Sequence, residues 1–357
     1  PSAFDSERFD FYGKVLNGQP QQRDRWKRAV QATNDALGEA VGELYVQRYF
    51  PASAKAQMLQ LVENLRAAYA GRIEAATWMT PVTRQKALKK LAAFRPKIAY
   101  PDKWRDYADL LVRPADAIGN MTRTAVFEWQ RQLKRLHQPT DRDEWEMPPQ
   151  TVNAYYSPGF NEIVFPAAIL QPPFFDPKAD AAVNYGGIGA VIGHEMSHGF
   201  DDQGAKFDER GVLRNWWEPQ DEAAFKALGD RLAAQYDQFT PVAGLKINGR
   251  NTLGENLGDL NGLAVAHAAY RLSLKGQDPP VLDGLTGEQR FFLSWAQEWR
   301  SLDREESLRT QVMSDPHSPD RFRVIGPLRN LVAWYAAFDV QVSDPMYLPP
   351  EQRVHVW

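Results

Sequence analysis

Two histidines four positions apart, His194 and His198, constrain the fold of this chain more than any other feature of its sequence. A helix places residues i and i+4 on one face, so both imidazoles can bind one metal ion if residues 184–200 are helical. The run of glycines and aliphatic residues over 186–193 favours a helix that is buried beneath a cleft. The sequence therefore predicts a buried helix that presents two histidines to one ion.

Two histidines are too few, because a catalytic zinc site takes three protein ligands and leaves one position open. The chain has no cysteine, so histidines and carboxylates must supply every ligand. The best third ligand is Glu255, near the start of an apolar helix predicted over 253–274. Asp259 lies one turn later and is placed to accept a hydrogen bond from a ligand histidine. Glu195, next to the first histidine, can take a proton from a metal-bound water.

Each of these patterns has an ordinary alternative when it is taken alone. Two histidines on a helix can be core or surface residues, and Glu255 with Asp259 can form part of a charged helix surface. A further candidate is the proline-bounded loop over 315–323, where His317 and Arg323 could stabilise an oxyanion and bind a peptide carbonyl.

Length and composition indicate how the chain is organised. With 357 residues, 43% of them hydrophobic, two domains or lobes are expected. Residues 1–140 are predicted to form a helical lobe, and the polar, proline-containing segment 141–150 is the predicted boundary. Short strands are predicted over 151–156 and 162–165. The expected fold is mainly helical, of the α+β class, with a small sheet in the second part of the chain.

The first 140 residues contain no cluster that is predicted to carry chemistry. A helix opened by Thr80 and Pro81 has a basic face that is interpreted as a solvated surface (Arg84, Lys86, Lys89 and Lys90). The net charge of −3 makes nucleic acid a poor partner. No apolar run approaches the length that spans a bilayer, so no transmembrane segment is expected.

Five blocks in a fixed order resemble the neprilysin-like zinc endopeptidases, peptidase family M13. The blocks are 152–156, 163–175, 184–201, 254–259 and the loop around His317, with weaker similarity in the first half of the chain. The resemblance implies a thermolysin-like zincin catalytic domain over 141–357 and an incomplete helical lid lobe over 1–140, with the cleft between them. It also implies one Zn²⁺ per chain and oligopeptide substrates.

Carried over position by position, the resemblance also implies roles for individual residues. His194, His198 and Glu255 resemble the zinc ligands, Glu195 the general base and Asp259 the aspartate behind a ligand histidine. His317 resembles the residue that stabilises the tetrahedral intermediate, and Arg323 the arginine that binds a substrate carbonyl. Asn153 and the backbone of Ala154 resemble the edge-strand element that binds the substrate main chain. Three further residues fall where the family lines its apolar S1′ pocket (Ile169, Phe174 and Val191).

The chain departs from the family pattern in three respects. Val354 replaces a cysteine of animal members, which fits a bacterial oligopeptidase. Because related bacterial proteins are often exported, a periplasmic or exported location is expected, with the cytoplasm as the alternative. Glu298 stands where vertebrate members have an aliphatic S1′ residue, so a basic P1′ side chain is expected to be accepted. Members of the family are also about twice as long, so the chain is expected to correspond to their C-terminal half and to need an N-terminal segment or chain.

Three other functions stay open at this point. A metal-dependent aminopeptidase is disfavoured because Glu255 lies 57 positions after His198. A catalytically silent homologue that acts as a binding scaffold is disfavoured because every catalytic position is filled. The third alternative is a chain that is inactive by itself, as one part of a nicked or two-chain peptidase.

Overall fold

The computed structural model describes residues 2–357, apart from the side chain of Ala52. Helices dominate it, as the sequence predicts. In chain order the α-helices are α1 (Ser2–Arg8), α2 (Arg25–Tyr49), α3 (Ala52–Ala75), α4 (Pro81–Ala92), α5 (Ala117–Arg135), α6 (Ala181–Asn184), α7 (Ala190–His198), α8 (Pro219–Tyr236), α9 (Leu253–Ser273), α10 (Gly287–Glu298), α11 (Glu305–Ser314), α12 (Asp320–Leu328) and α13 (Val332–Phe338).

Shorter or wider helical segments connect some of these helices. Two are π-helical (Phe9–Val15 and Tyr185–Gly189), and three are short 3₁₀ helices (Ala167–Ile169, Gly204–Lys206 and Pro350–Gln352). The predicted helix over 184–200 is therefore composed of the end of α6, a π-helical segment and α7. The π-helical segment contains Gly187, whose non-helical backbone angles mark a kink immediately before the predicted metal-binding helix.

A three-stranded sheet lies beside these helices, in the order β1 (Arg95–Ala99), β3 (Glu162–Pro166), β2 (Tyr155–Ser157). β3 confirms the predicted strand over 162–165. The other predicted strand begins later than expected, at residue 155, and pairs antiparallel with β3. β1 was not predicted; it pairs parallel with β3 and places residues of the first half of the chain in the sheet.

The hydrophobic core is continuous from α3 to the C-terminal residues. Buried side chains of α3, such as Leu65 and Tyr69, belong to the same core as Ile192 of α7 and Leu257 of α9. The proposed domain boundary at residue 140 stays a prediction, but the packing crosses it through the sheet and through this core. In contrast, α5 has no buried residue.

The basic face of α4 is only partly a solvated surface. Lys86 and Lys89 are substantially exposed, but Lys90 is 1% exposed and lies with Thr83, Ala87 and Leu91 on the buried face of the helix. The interpretation of Lys90 as a surface residue is therefore wrong. Among the described residues, no helix combines the length and apolar character that a membrane span requires.

Candidate metal centre and active site

The site is built where α7 and α9 cross at very close range, and glycines make that approach possible. A Cβ atom on Gly193 would lie 2.5 Å from the carbonyl oxygen of Gly262. A Cβ atom on Gly258 would lie 2.7 Å from Cε1 of His194. Both separations are too short for real atoms, so larger residues would push the helices apart. The glycines therefore allow the histidines of α7 to reach the carboxylates of α9.

The three predicted metal ligands converge at this crossing. One ligand atom from each of His194, His198 and Glu255 can be chosen so that all three lie within 4.8 Å of one another. Nε2 of His194 is 3.2 Å from Oε2 of Glu255, and Nε2 of His198 is 3.7 Å from Oε1. Histidine nitrogen and carboxylate oxygen are the donors that zinc accepts when no thiolate is present.

Each ligand histidine has its own aspartate on the other side of the ring. Nδ1 of His194 is 2.8 Å from Oδ1 of Asp259, which is the partner that the sequence suggested. Nδ1 of His198 is 2.7 Å from Oδ2 of Asp201, which is the last residue of the 184–201 block and was given no role. Since an ionised carboxylate only accepts hydrogen bonds, each Nδ1 carries the proton and each Nε2 is left to bind the metal.

This arrangement favours a positive charge between the three ligands. Two Nε2 lone pairs and a carboxylate face one another, and they repel unless protons or a cation lie between them. Burial lowers the pKa of His194, but hydrogen bonds with Asp259 and Glu255 outweigh burial and raise it to about 10. Burial raises the pKa of Glu255, but the histidines around it hold that pKa well below its ordinary value. The residues therefore fit a divalent cation such as zinc.

Glu195 lies on the same helix, between the two histidines, and is 5% exposed. Its Oε2 atom has no hydrogen-bond partner among the described residues. Burial raises the pKa of this carboxyl group, with the two neighbouring histidines opposing the shift. A carboxylate with a raised pKa and a free oxygen is well suited to accept a proton and keep it briefly.

His317 reaches the same centre from the loop between α11 and α12. Its Nε2 lies 3.2 Å from Oε2 of Glu255, while its Nδ1 lies 2.7 Å from Oδ1 of Asp315. The backbone N–H of His317 also donates to Asp315, which fixes the loop. Asp315, like Asp201, is a partner that was not predicted. In both cases a signal was present, since each aspartate lies within three residues of a predicted site histidine.

Arg323 is held by Asp259 rather than standing free. Its Nε and Nη2 atoms donate to the two oxygens of Asp259 at 2.8 and 2.7 Å, and the guanidinium lies 3.9 Å from the ring centre of Trp299. Burial lowers the pKa of Arg323, but Asp259 outweighs burial and keeps the group charged. One carboxylate thus orients a ligand histidine and a cavity arginine together.

A cavity of about 550 Å³ opens above the three ligands. It is lined by most of the predicted substrate-binding residues, together with two tryptophans and the metal centre (Asn153, Ala154, Ile169, Phe174, Val191, Trp295, Trp299 and Arg323). All the lining residues fall between Val152 and Arg323. The described cavity therefore lies within the second part of the chain, and the expected cleft between this part and the first 140 residues stays a prediction.

Two predicted substrate-binding residues have distinctive surroundings. Asn153 is exposed, and its Oδ1 accepts the backbone N–H of Ala154 at 2.9 Å, next to the edge strand β2. Glu298 is not among the cavity-lining residues. Its carboxyl group is enclosed beside Gly187, with neither oxygen hydrogen-bonded to a described residue, and burial raises its pKa well above the ordinary value.

Comparison with known proteins places this geometry in a family. The model of peptidase family M13 matches residues 153–354, and an N-terminal model of the same family matches residues 1–101. The chain belongs to peptidase family M13. The resemblance inferred from the sequence motifs is thereby confirmed.

Relatives within the M13 family include proteins of animals and bacteria. Neprilysin of Homo sapiens is 37% identical over 360 residues, which cover 97% of this chain and 48% of neprilysin. A zinc metalloprotease of Mycobacterium tuberculosis, solved with an inhibitor, is 53% identical with a TM-score of 0.96, covering 99% of this chain and 55% of the other. PepO of Lactobacillus rhamnosis is 40% identical, with a TM-score of 0.88 and coverages of 97% and 54%. The chain spans about half the length of these relatives.

Proposed function

We propose that this chain carries the catalytic centre of a zinc-dependent endopeptidase that hydrolyses oligopeptides. The observation that carries the proposal is the convergence of His194, His198 and Glu255 at the base of a cavity that also contains Glu195. A zinc ion bound there would polarise a scissile carbonyl and lower the pKa of a coordinated water. One ion per chain is expected, because the described residues contain one such group of ligands.

Glu195 acts as the general base in this proposal. Its unpartnered Oε2 takes the proton of the attacking water, and its raised pKa lets it hold that proton until the amine leaves. The proton then passes from Glu195 to the leaving nitrogen. His317 donates a hydrogen bond from Nε2 to the developing oxyanion; because Asp315 accepts at Nδ1, the imidazole must carry both protons to do so.

The remaining residues position the peptide. Arg323 uses two nitrogens for Asp259, which leaves Nη1 for a substrate carbonyl. The segment at Asn153 and Ala154 precedes an edge strand, so an extended peptide can add beside it through main-chain hydrogen bonds. The P1′ side chain enters the apolar part of the cavity (Ile169, Phe174 and Val191), behind which Glu298 accepts a lysine or arginine.

The alternative is that this chain is active only together with a second segment or chain. α5 presents an exposed apolar stripe over Ala117–Arg135 and the next residue (Ile118, Met121, Trp129, Leu133 and Leu136). Exposed apolar patches of this kind mark surfaces that are covered by a partner. We infer that a further N-terminal segment or chain packs on this stripe. A periplasmic or exported location remains part of the proposal.

The test compares wild type with Glu195→Gln in cleavage of an N-blocked fluorogenic peptide, with zinc content measured on the same samples. Glu351→Gln, an exposed glutamate outside the cavity, is the matched control. We expect cleavage to fall by at least about 10³-fold in Glu195→Gln, since the proton acceptor is lost, while zinc stays bound. Loss of zinc from that variant would contradict the assigned role. A zinc-loaded wild type that cuts no peptide would favour the two-chain alternative.

A further inference from the structure

The ammonium group of Lys90 is buried in a ring of backbone carbonyl groups behind the metal centre. Its Nζ donates to the carbonyl oxygens of Gly199 at 2.6 Å, Gly204 at 2.8 Å and Phe207 at 2.7 Å. An ammonium has three N–H donors, so these three bonds satisfy it completely. Lys90 makes no ion pair with any described carboxylate within 4.0 Å, so its charge is balanced mainly by carbonyl dipoles.

The three carbonyl groups belong to the loop that follows α7, and this loop contains Asp201. One oxygen of Asp201 accepts Nδ1 of His198, and the other accepts the backbone N–H groups of Gln203 and Gly204 at 2.8 and 2.7 Å. The loop turns back tightly, since a Cβ atom on Gly204 would lie 1.7 Å from the carbonyl oxygen of His198. The position of Asp201 therefore depends on a loop whose carbonyls converge on one side chain.

We propose that Lys90 is a positioning residue for the zinc site, acting on His198 through the 199–207 loop and Asp201. The inference rests on the proposed zinc centre. Without the ammonium group, the carbonyl of Gly199 would lose its donor, and the carbonyls of Gly204 and Phe207 would keep only the backbone N–H of Phe207 and the indole N–H of Trp216. The loop would then relax, and Asp201 would no longer hold the imidazole of His198 in one tautomer and one orientation.

Lys90 links the two parts of the chain that the family models match. Lys90 lies on α4, within the residues matched by the N-terminal family model, while the loop that it binds lies within the residues matched by the catalytic model. Burial of a charged group in this position is unfavourable: it lowers the pKa of Lys90 to about 7, with Asp201 and Asp208 opposing the shift. A methionine or leucine would fill the same space without that cost. The presence of a lysine is therefore explained by the three hydrogen bonds that its ammonium group donates to the 199–207 loop.

The test measures zinc affinity in competition with a chromophoric chelator, which requires no peptidase activity. The variants are Lys90→Met, Asp201→Asn and the double variant. Lys86→Met is the matched control, because Lys86 lies one turn earlier on α4 and also donates to a backbone carbonyl, that of Trp216 at 2.8 Å. Lys90→Gln, which keeps two N–H donors, is included in case Lys90→Met does not fold. Circular dichroism and thermal unfolding of each zinc-free variant are recorded in parallel.

We expect Lys90→Met and Asp201→Asn each to weaken zinc binding by about 10- to 100-fold, the range typical of residues that orient metal ligands. The double variant should lose little more than either single variant, because both changes break one path to His198. Lys86→Met should bind zinc as wild type does.

Three results would overturn the proposal. The first is a folded Lys90→Met whose zinc affinity equals that of Lys86→Met, even if its melting temperature falls. The second is full additivity in the double variant. The third is a failure of both Lys90→Met and Lys90→Gln to fold, which would make Lys90 a determinant of general stability. If wild type itself binds no zinc, the proposed zinc function fails first and this inference fails with it.

Discussion

Asp259 accepts a hydrogen bond from His194 and also balances the charge of Arg323, and replacing it with asparagine impairs both roles. The carboxylate is fully buried, accepts Nδ1 of His194 at 2.8 Å, and accepts two nitrogens of Arg323 at 2.7 and 2.8 Å. Asparagine has nearly the same shape but no charge, and its amide group can accept from only one of these partners properly. Asp259→Asn therefore removes the hydrogen-bonded counter-charge of Arg323, whose remaining carboxylate, Glu255, lies 3.7 Å from Nη2, and it leaves His194 free to change tautomer.

The loss of the counter-charge of Arg323 and the loss of the acceptor of His194 affect different measured quantities. Removing one partner of a buried ion pair costs about 3–5 kcal/mol, and Arg323 is only 7% exposed, so this range applies to the zinc-free protein. Loss of the hydrogen bond behind a ligand histidine weakens metal binding by about 10- to 100-fold. We expect both effects in Asp259→Asn, the first in the free energy of unfolding and the second in zinc affinity.

A double variant tells the two effects apart. Replacing both charged residues by leucine removes the pair without leaving a lone charge, and such replacements are often close to neutral. Urea unfolding of the zinc-free double variant, Asp259→Leu with Arg323→Leu, should therefore recover most of the stability lost in Asp259→Asn. Its zinc affinity should remain low, since His194 still lacks an acceptor. An Asp259→Asn protein within about 1 kcal/mol of wild type would refute the reasoning.

The ion pair between Asp259 and Arg323 also predicts how the difference in unfolding free energy between wild type and Asp259→Asn depends on pH. Burial raises the pKa of Asp259, but Arg323 outweighs burial and holds that pKa below its ordinary value. A carboxyl group whose pKa is lowered by folding contributes stability above its unfolded pKa of about 3.9 and loses it as the pH falls through its folded pKa. The gap in unfolding free energy between wild type and Asp259→Asn should therefore be full near neutrality and shrink in acid.

Three further predictions address specificity, stability and the partner surface. Glu298→Val should lower kcat/KM for a P1′ lysine peptide by about 10-fold or more relative to a P1′ leucine peptide, and an unchanged ratio would contradict the S1′ role. Trp357→Ala should cost about 3–5 kcal/mol in unfolding free energy by urea titration, because the indole is 5% exposed within an aromatic cluster; a loss below about 1 kcal/mol would contradict this. Trp129→Glu should leave the unfolding free energy within about 0.5 kcal/mol but weaken binding of an added N-terminal segment in a pull-down; equal binding would show that α5 is not the contact.

The convergence of the candidate metal ligands could be predicted in part, because the signal within each pair of residues is local. His194 and His198 share a helix face, as do Glu255 and Asp259, and both spacings are readable from four-residue separations. The identity of the fold required more, since five ordered motif blocks had to be matched to a family. The two pairs are brought together where α7 and α9 cross. This crossing depends on the close packing of Gly193 against Gly262, which cannot be predicted from residue spacing in the sequence.

Other features could have been found but were not, and Lys90 shows why. Its neighbours on α4 are basic, so the average character of the helix suggested a solvated face. The positions of Thr83, Ala87, Lys90 and Leu91 nevertheless follow the i, i+4, i+7, i+8 pattern of a buried face, and all four are buried. For α4, the spacing of the residues predicts which side chains are buried better than their charge does. Strand β1 had weaker evidence, because Arg95, Pro96 and Lys97 are unfavourable strand residues that the parallel pairing with β3 overrides.

The contacts around α7 indicate which part of the chain belongs physically to the candidate site. Tyr69 of α3 packs at 5.4 Å from Phe200, Lys90 of α4 binds the loop after α7, and β1 pairs with β3. All three contacts come from residues before 100. By contrast, α5 lies between the two family-model matches and buries no residue of its own. Residues 52–99 are therefore part of the framework of the candidate metal centre, and the segment around α5 is the surface on which we propose that a further N-terminal segment or chain packs.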